Sequence, residues 1–207
     1  MPRKEVPLDH LGKYLPEGTA PTVLNYLTLY RVHLTITRER RSILGDYRHR
    51  TTFANHRISV NGNLNAYAFL ITLLHELAHL LTFEQYGNKV AAHGAEWKKF
   101  YGQLLAGFLT SHSLPDDIEA ELRRSLRDPA ASSCAEDGLI RVLRKYDKTA
   151  PHQKLVEEIL PGEKFRTPDG RIFEKGAKLR KRFKCRDISN GKEYLFSPVY
   201  EVEKLSA

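Results

Sequence analysis

The most distinctive hydrophobic pattern in the chain is a long stretch that is apolar on nearly every side. It runs from Asn65 to Leu81, and the chain contains no Gly or Pro between Asn65 and Gly87. This length and composition predict a helix that is buried on most of its faces. Asn63 or Asn65 can cap its start, and Gly87 suits the left-handed residue that often ends a helix.

A second helical pattern follows a loop over residues 88–94. Its apolar residues recur every three or four positions, which predicts one face that packs on the first helix. The members of this face are Trp97, Phe100, Tyr101, Leu104, Leu105 and Phe108. Two more helices are predicted, one that begins after Pro21 and a polar one from Pro115 to Arg127.

Three short runs before the long helix alternate apolar and polar residues, as strands with one buried face do. They cover residues 31–37, 42–47 and 56–60. Together they predict a small antiparallel sheet, and the first part of the chain is expected to be an α+β domain.

The last third of the chain contains linker and turn signals in place of long helical patterns. Small and polar residues after position 127 indicate a linker, and a short helical pattern follows it. Asp169-Gly170 and Asn190-Gly191 are two-residue hairpin signals between strand-like runs, so a small all-β module is predicted. The predicted divisions are 1–127 for the α+β domain, 128–150 for the linker and connecting helix, and 151–207 for the β module.

The net charge of +8 is concentrated in the last third of the chain. Residues 139–207 contain 17 Lys and Arg against 10 Asp and Glu, and seven of the twelve residues from Lys175 to Arg186 are basic. Such a segment predicts salt-sensitive, largely nonspecific DNA binding, although basic solvated surfaces without a ligand are also common. Strand alternation would place Arg180, Arg182, Lys184 and Arg186 on one face. The predicted nucleic-acid contacts are Lys178, Arg180, Lys181, Arg182, Lys184 and Arg186.

Composition narrows the class of protein. The only cysteines are Cys134 and Cys185, which excludes a disulfide framework and a zinc site built from two Cys pairs. The longest uncharged apolar stretch, Ala66 to Leu74, is far shorter than the roughly 20 residues that span a bilayer, and the first ten residues are too charged for a signal peptide. We therefore expect a soluble cytoplasmic protein whose metal ligands, if any, are His and carboxylates.

An HExxH pattern lies in the middle of the long predicted helix, at His75, Glu76 and His79. Residues four apart on a helix lie one above the other, so both imidazoles can reach one ion. Burying these three polar groups among apolar residues would be costly without a purpose. His93 comes fourteen positions later, after the turn expected at Gly87, and is the candidate third ligand.

Three imidazoles leave the fourth position of a zinc ion to water. Glu76 is rotated by about 100° around the helix from His75, where it can act as general base. This chemistry predicts hydrolysis of a peptide bond by a zinc-bound water. Two alternatives stay open, because His75 and His79 can be hydrogen-bonded core residues, or the cluster can be a structural metal site. Other ions, such as Mn²⁺, also fit similar ligands.

The remaining histidines have no partner at ligand spacing. We interpret them as surface or strand residues: His10, His33, His49, His56, His112 and His152. Tyr47 or His49, from the strand before the long helix, could border the cleft.

At these positions the chain resembles the SprT-like family, which includes the Spartan proteases that degrade proteins crosslinked to DNA. The resemblance covers roughly residues 20–110. It depends on Leu73-Leu-His-Glu-Leu-Ala-His79, on His93-Gly-Ala-Glu-Trp97, and on the preceding segment with Leu44-Gly-Asp-Tyr-Arg48. It implies a helical, zincin-like metalloprotease domain with one Zn²⁺. The implied zinc ligands are His75, His79 and His93, and the implied catalytic residue is Glu76.

Many SprT-like proteins continue into a zinc ribbon with four cysteines. The corresponding segment here, residues 160–200, retains only Cys185. It therefore resembles a zinc ribbon without its metal, in which Cys185 is a small buried group. The residues expected to hold this module together are Leu179, Phe183, Tyr194 and Phe196.

The leading hypothesis is a cytoplasmic zinc-dependent peptidase of SprT-like type that acts on DNA-associated or DNA-crosslinked proteins. The alternative is a nonenzymatic nucleic-acid-binding or transcription-associated protein whose metal site is structural or vestigial. The substitution Glu76→Gln separates the two hypotheses, since only the first requires this carboxylate.

Overall fold

The long apolar stretch forms the central helix of the first of two compact units, which divide between Asp147 and Lys148. The computed structural model describes residues 8–40, 42–50, 54–126, 134–148 and 152–205. The chain is an α+β protein, as predicted, with five α-helices, a small sheet and a larger antiparallel sheet among the described residues.

In the first unit the described residues form five helices and three strands, together with a 3₁₀ helix over Leu8–Tyr14. The helices are α1 (Ala20–Leu29), α2 (Ala66–Tyr86), α3 (Ala95–Thr110), α4 (Asp116–Ser125) and α5 (Asp137–Arg144). The strands are β1 (His33–Thr37), β2 (Gly45–Arg48) and β3 (Arg57–Asn61). Arg127, residues 128–133 and 149–150 of the predicted linker segment, and residue 151 of the predicted β module lie outside the described residues.

Helix α2 begins and ends at the residues that the sequence predicts. The Asn65 side chain accepts a hydrogen bond from the Ala68 amide at 2.9 Å and caps the helix, and Gly87 has φ +61° at its end. By length and composition α2 could cross a membrane, but 72% of its most apolar window is buried inside the protein. It is therefore the core helix, and its largest helical partner is α3, whose Trp97 packs on His75.

The small sheet is mixed, which corrects the antiparallel prediction. Its strand order is β1-β3-β2, with β3 parallel to β1 and antiparallel to β2. The alternating pattern identified the strands but carries no information on their direction. The connection from β1 to β2 crosses to the far side of β3, and Arg40 ties this connection to β3. Its guanidinium donates to Asn61 Oδ1 at 2.8 Å, to Ser59 Oγ at 3.0 Å and to the Leu44 carbonyl at 3.3 Å.

The second unit is a six-stranded antiparallel sheet with the strand order β4-β9-β5-β6-β7-β8 and a 3₁₀ turn over Val156–Glu158. Its strands are β4 (Gln153–Leu155), β5 (Lys164–Arg166), β6 (Ile172–Leu179), β7 (Arg182–Asp187), β8 (Glu193–Phe196) and β9 (Glu201–Lys204). Cys185 is buried, and Phe183, Tyr194 and Phe196 pack against its core. The expectation for Leu179 was wrong, since this side chain is 48% exposed near the end of a hairpin.

Candidate metal centre

Two elements bring the three candidate ligands together. His75 and His79 lie one turn apart on α2, and His93 lies in the loop that reverses the chain after Gly87. The fully buried Trp97, at the start of α3, forms a common floor for all three imidazoles. Its ring centroid lies 4.6 Å from that of His75, 5.4 Å from that of His79 and 4.8 Å from that of His93.

Two of the three pairs of histidine donor atoms are spaced as in a tetrahedral site. His75 Nε2 lies 3.3 Å from His79 Nε2 and 3.3 Å from His93 Nε2. Two donors about 2.0–2.1 Å from one tetrahedral ion are separated by about 3.3–3.4 Å, so these distances fit a zinc site. The ligand atoms of the three side chains all lie within 4.8 Å of one another. Imidazole donors suit Zn²⁺ and also Cu, Fe and Ni ions, so the set defines a metal site rather than one metal.

The protonation state of the histidines also suits a cation. Burial lowers the pKa of His75 to about 3 and the pKa of His79 to about 4, and it lowers the pKa of His93. The charge of a neighbouring imidazole adds to the lowering at His75 and His79. The imidazoles are therefore neutral at pH 7 and keep lone pairs that a cation can accept.

Glu76 occupies a slot between α2 and β2. Glu76 is 5% exposed, and burial raises the pKa of its carboxyl group to about 8. The charge of Asp46 also raises this pKa, and the charge of Arg40 lowers it. A Cβ atom on Gly45 would lie 2.5 Å from Glu76 Oε1 and 2.8 Å from Thr72 Cγ2. The missing side chain at Gly45 therefore creates the space that the carboxylate fills.

A cleft of about 670 Å³ opens over the histidines and Glu76. Residues 42–47 form one wall, and the opposite wall consists of Gly87, Asn88 and residues 90–93. Tyr47 and His49 both line it, as the sequence suggested, and the His49 ring stacks on Phe83 at 4.5 Å.

Several residues of this site carry no recognisable sequence signal. Arg40 and Asp46 act on Glu76 from a loop and a strand whose positions follow from the sheet topology. His56 was interpreted as a surface or strand residue, but it is only 1% exposed and hydrogen-bonds to Tyr47 and Glu84. Its partners lie 9 and 28 positions away in sequence, beyond the reach of a local pattern.

The structure divides the predicted basic strip into a hairpin tip, residues 178–182, and the stem below it. In the tip, Lys178, Arg180, Lys181 and Arg182 are exposed, and none has an ion pair within the described residues. In the stem, by contrast, ion pairs hold Lys184 to Glu193 at 2.7 Å and Arg186 to Glu174 at 3.1 Å.

The single face predicted for four of these cations does not form. Arg180 lies in the two-residue turn between β6 and β7 with φ +50°, so it does not follow the strand alternation. Lys175 is also absent from the surface, because it is 4% exposed and its Nζ donates to the carbonyl groups of Glu157 and Ile159. The exposed charge is therefore concentrated at the hairpin tip.

The fold and the site define a protein with a candidate metal centre formed by two histidines of a buried helix and a third from the following loop, beside a buried glutamate. Residues 21–115 match the model of the SprT-like family, a metalloprotease-type family. The resemblance is thus confirmed for this segment, which contains His75, Glu76, His79 and His93. Comparisons with curated proteins and with solved structures gave no match.

Proposed function

We propose that the protein is a zinc-dependent peptidase of SprT-like type that hydrolyses peptide bonds in DNA-associated or DNA-crosslinked proteins of the cytoplasm. One observation carries the proposal: His75 Nε2 lies 3.3 Å from each of two other imidazole nitrogens, as in a tetrahedral site. The match of residues 21–115 to a metalloprotease-type family supports it. Under this proposal the first unit is a zincin-like domain and the second a zinc ribbon that has lost its metal.

Zn²⁺ in this site would polarise a water molecule and the carbonyl group of the scissile peptide bond. A cation bound beside Glu76 would favour the ionised form of its carboxyl group. Glu76 would then take a proton from that water at a carboxylate oxygen while the water oxygen bonds to the carbonyl carbon, and would return the proton to the amine nitrogen as the C–N bond breaks. The slot at Gly45 holds the Glu76 side chain beside the ligands, where few competing waters can solvate it. His75, His79 and His93 would hold the ion through Nε2, and three protein ligands would leave one position for water.

Strand β2 provides a binding edge for an extended substrate. It pairs with β3 on one side, and no described strand pairs with its other side. A free strand edge can bind a peptide through main-chain hydrogen bonds, and β2 also forms a wall of the cleft. Ile43, which lines the cleft and is 44% exposed, offers an apolar contact to a substrate side chain.

The test of the peptidase is the substitution Glu76→Gln, compared with Glu39→Gln as a matched control on the exposed surface. Each protein is loaded with zinc, analysed for metal content, and incubated with an unfolded protein and with a DNA-bound basic protein. We expect Glu76→Gln to keep one zinc per chain and to lower the cleavage rate by about 10²–10⁴-fold. The Glu39→Gln control should cleave like the wild type.

Two outcomes contradict the peptidase. Wild-type cleavage rates in Glu76→Gln would remove the catalytic role of this carboxylate. No cleavage by the zinc-loaded wild type, with or without DNA, would favour the nonenzymatic nucleic-acid-binding protein, which the cationic hairpin tip also suits.

The hairpin tip is the proposed DNA contact. Its four exposed cations have no ion pairs in the described part of the chain and can contact phosphates without breaking a salt bridge. Lys184 and Arg186 would first have to leave their carboxylate partners. Phosphate contacts are independent of base sequence, so the binding is nonspecific and weakens with salt.

The DNA contact is tested with a tip variant that combines Arg180→Asn, Lys181→Gln and Arg182→Gln. Asn suits the positive φ of position 180, so the hairpin should still form. We expect weaker duplex binding and a flatter salt dependence, with the log–log slope reduced by about 0.9 for each phosphate that the variant no longer neutralises. The control combines Lys184→Gln and Arg186→Gln and should change the slope less. Equal slopes for wild type and tip variant would exclude the tip as the contact.

A further inference from the structure

Tyr47 lies between a candidate metal ligand and a buried histidine. Its ring is nearly parallel to that of His79, with an interplanar angle of 5° and centroids 6.4 Å apart. It is also nearly parallel to the ring of His56, at 19° and 5.8 Å. Tyr47 is half-buried and lines the cleft, so its ring forms a wall beside the histidine cluster.

A chain of hydrogen bonds fixes the Tyr47 hydroxyl. This oxygen lies 2.9 Å from His56 Nδ1, and His56 Nε2 lies 3.2 Å from Glu84 Oε1. A carboxylate only accepts, so His56 donates from Nε2 and accepts the Tyr47 proton at Nδ1. Arg50 Nη2 lies 3.2 Å from the same oxygen of Glu84 and holds the end of the chain.

This series of contacts begins and ends on α2. Glu84 and His79 belong to the same helix, five residues apart, while Tyr47 comes from β2 and His56 immediately precedes β3. The ring beside His79 is therefore fixed relative to the helix that carries His79. Because the Tyr47 proton is directed to His56, the phenol does not donate into the cleft in this arrangement.

We propose that Tyr47 is a positioning residue for the metal centre, in which the His56–Glu84 pair keeps the phenol ring parallel to His79 and so limits the rotation of that ligand. This inference rests on the proposed function, since it requires that His79 binds a metal. It extends that function to four residues outside the HExxH pattern: Tyr47, Arg50, His56 and Glu84. Groups that orient a metal ligand from outside typically change metal affinity by about 10–100-fold when altered.

The test measures zinc affinity of the full chain by competition with a chromophoric chelator, together with the visible spectrum of the Co²⁺ form. Tyr47→Phe keeps the ring but removes the hydroxyl, and we expect about tenfold weaker zinc binding. Glu84→Gln keeps the shape of this side chain, which is 26% exposed, and removes its charge, so it should weaken binding in the same direction. Tyr67→Phe, whose ring packs on Tyr146 outside the cleft lining, is the matched control and should bind like the wild type.

The outcomes separate the inference from the proposed function. If the wild type binds no zinc, the proposed function fails and this inference fails with it. If the wild type binds zinc and both Tyr47→Phe and Glu84→Gln match its affinity and Co²⁺ spectrum, Tyr47 is not a positioning residue and the proposed function stands. Thermal unfolding of the metal-free variants checks that a change in affinity does not come from impaired folding.

Discussion

The substitution Gly45→Ala tests whether the position of Glu76 depends on an absent side chain. The new methyl group would lie 2.5 Å from Glu76 Oε1 and 2.8 Å from Thr72 Cγ2, whereas ordinary contacts are 3.4–4 Å. Gly45 belongs to β2, which packs on α2, so neither backbone can move without disturbing the core. The Glu76 side chain is the softest part of this contact and should move by roughly 1 Å.

This displacement has two measurable costs. A shift of about 1 Å in a catalytic group can lower the rate by about 100-fold. Overpacking of this kind lowers the free energy of unfolding by about 1–3 kcal/mol. The three atoms nearest to the new methyl group belong to Glu76 and Thr72 and not to a histidine ligand. Zinc affinity should therefore stay within about threefold of the wild type, which is under 1 kcal/mol in binding free energy.

The assay compares peptide cleavage, zinc affinity and thermal unfolding for Gly45→Ala and for Gly107→Ala. Gly107 lies on an exposed face of α3, and a Cβ there meets nothing within 4 Å, so this control should cleave normally. Adding Thr72→Ser to Gly45→Ala removes the crowding methyl group and should restore part of the activity. Wild-type cleavage by Gly45→Ala, or a loss of zinc in parallel with activity, would refute this account of the slot.

Three further results are expected. Zinc at 100 times its Kd should stabilise the wild type by about 2.7 kcal/mol and raise its Tm by about 5–10 °C. His93→Ala should lack most of this shift in Tm. An equal shift for both proteins in calorimetry would exclude His93 as a ligand. Hydrogen bonds from Thr167 and Arg171 lower the pKa of Asp169 to about 2 from its usual 3.8. Asp169 therefore stabilises the β module above about pH 4 and loses this effect as the pH falls towards 2, so Asp169→Asn should flatten the acid limb of unfolding followed by circular dichroism. Asn65→Ala removes the cap of α2 and should lower the free energy of unfolding by about 1 kcal/mol with unchanged zinc affinity; an unchanged urea midpoint would contradict the role of the cap.

The elements of the fold could be predicted from sequence because each has a local cause. The pattern of α2 includes both of its ends, since Asn65 caps the helix and Gly87 takes the positive φ that ends it. The direction of β1 relative to β3 has no local cause. It depends on contacts between distant residues, such as those that the Arg40 side chain makes with residues 19 and 21 positions further along the chain.

The basic hairpin shows a similar limit. Counting Lys and Arg located the charge, but the pairing of β6 with β7 and of β7 with β8 decides which cations meet carboxylates. Lys184 meets Glu193 across one pair of strands, and Arg186 meets Glu174 across the other. The cations of the tip, where the chain turns, have no carboxylate partners among the described residues.

The candidate site depends both on local sequence patterns and on contacts between distant residues, and Trp97 shows why the two are linked. Its place in the apolar pattern of α3 predicted a core residue, and it is fully buried. The same ring lies within 5.4 Å, centroid to centroid, of all three histidines, so the packing of α3 on α2 also sets where His93 meets the HExxH pair. A ligand from a loop can reach a helix-borne pair reproducibly only if the loop is anchored, and here the anchor belongs to the hydrophobic core. The spacing of fourteen residues between His79 and His93 is therefore informative because a buried aromatic residue follows it.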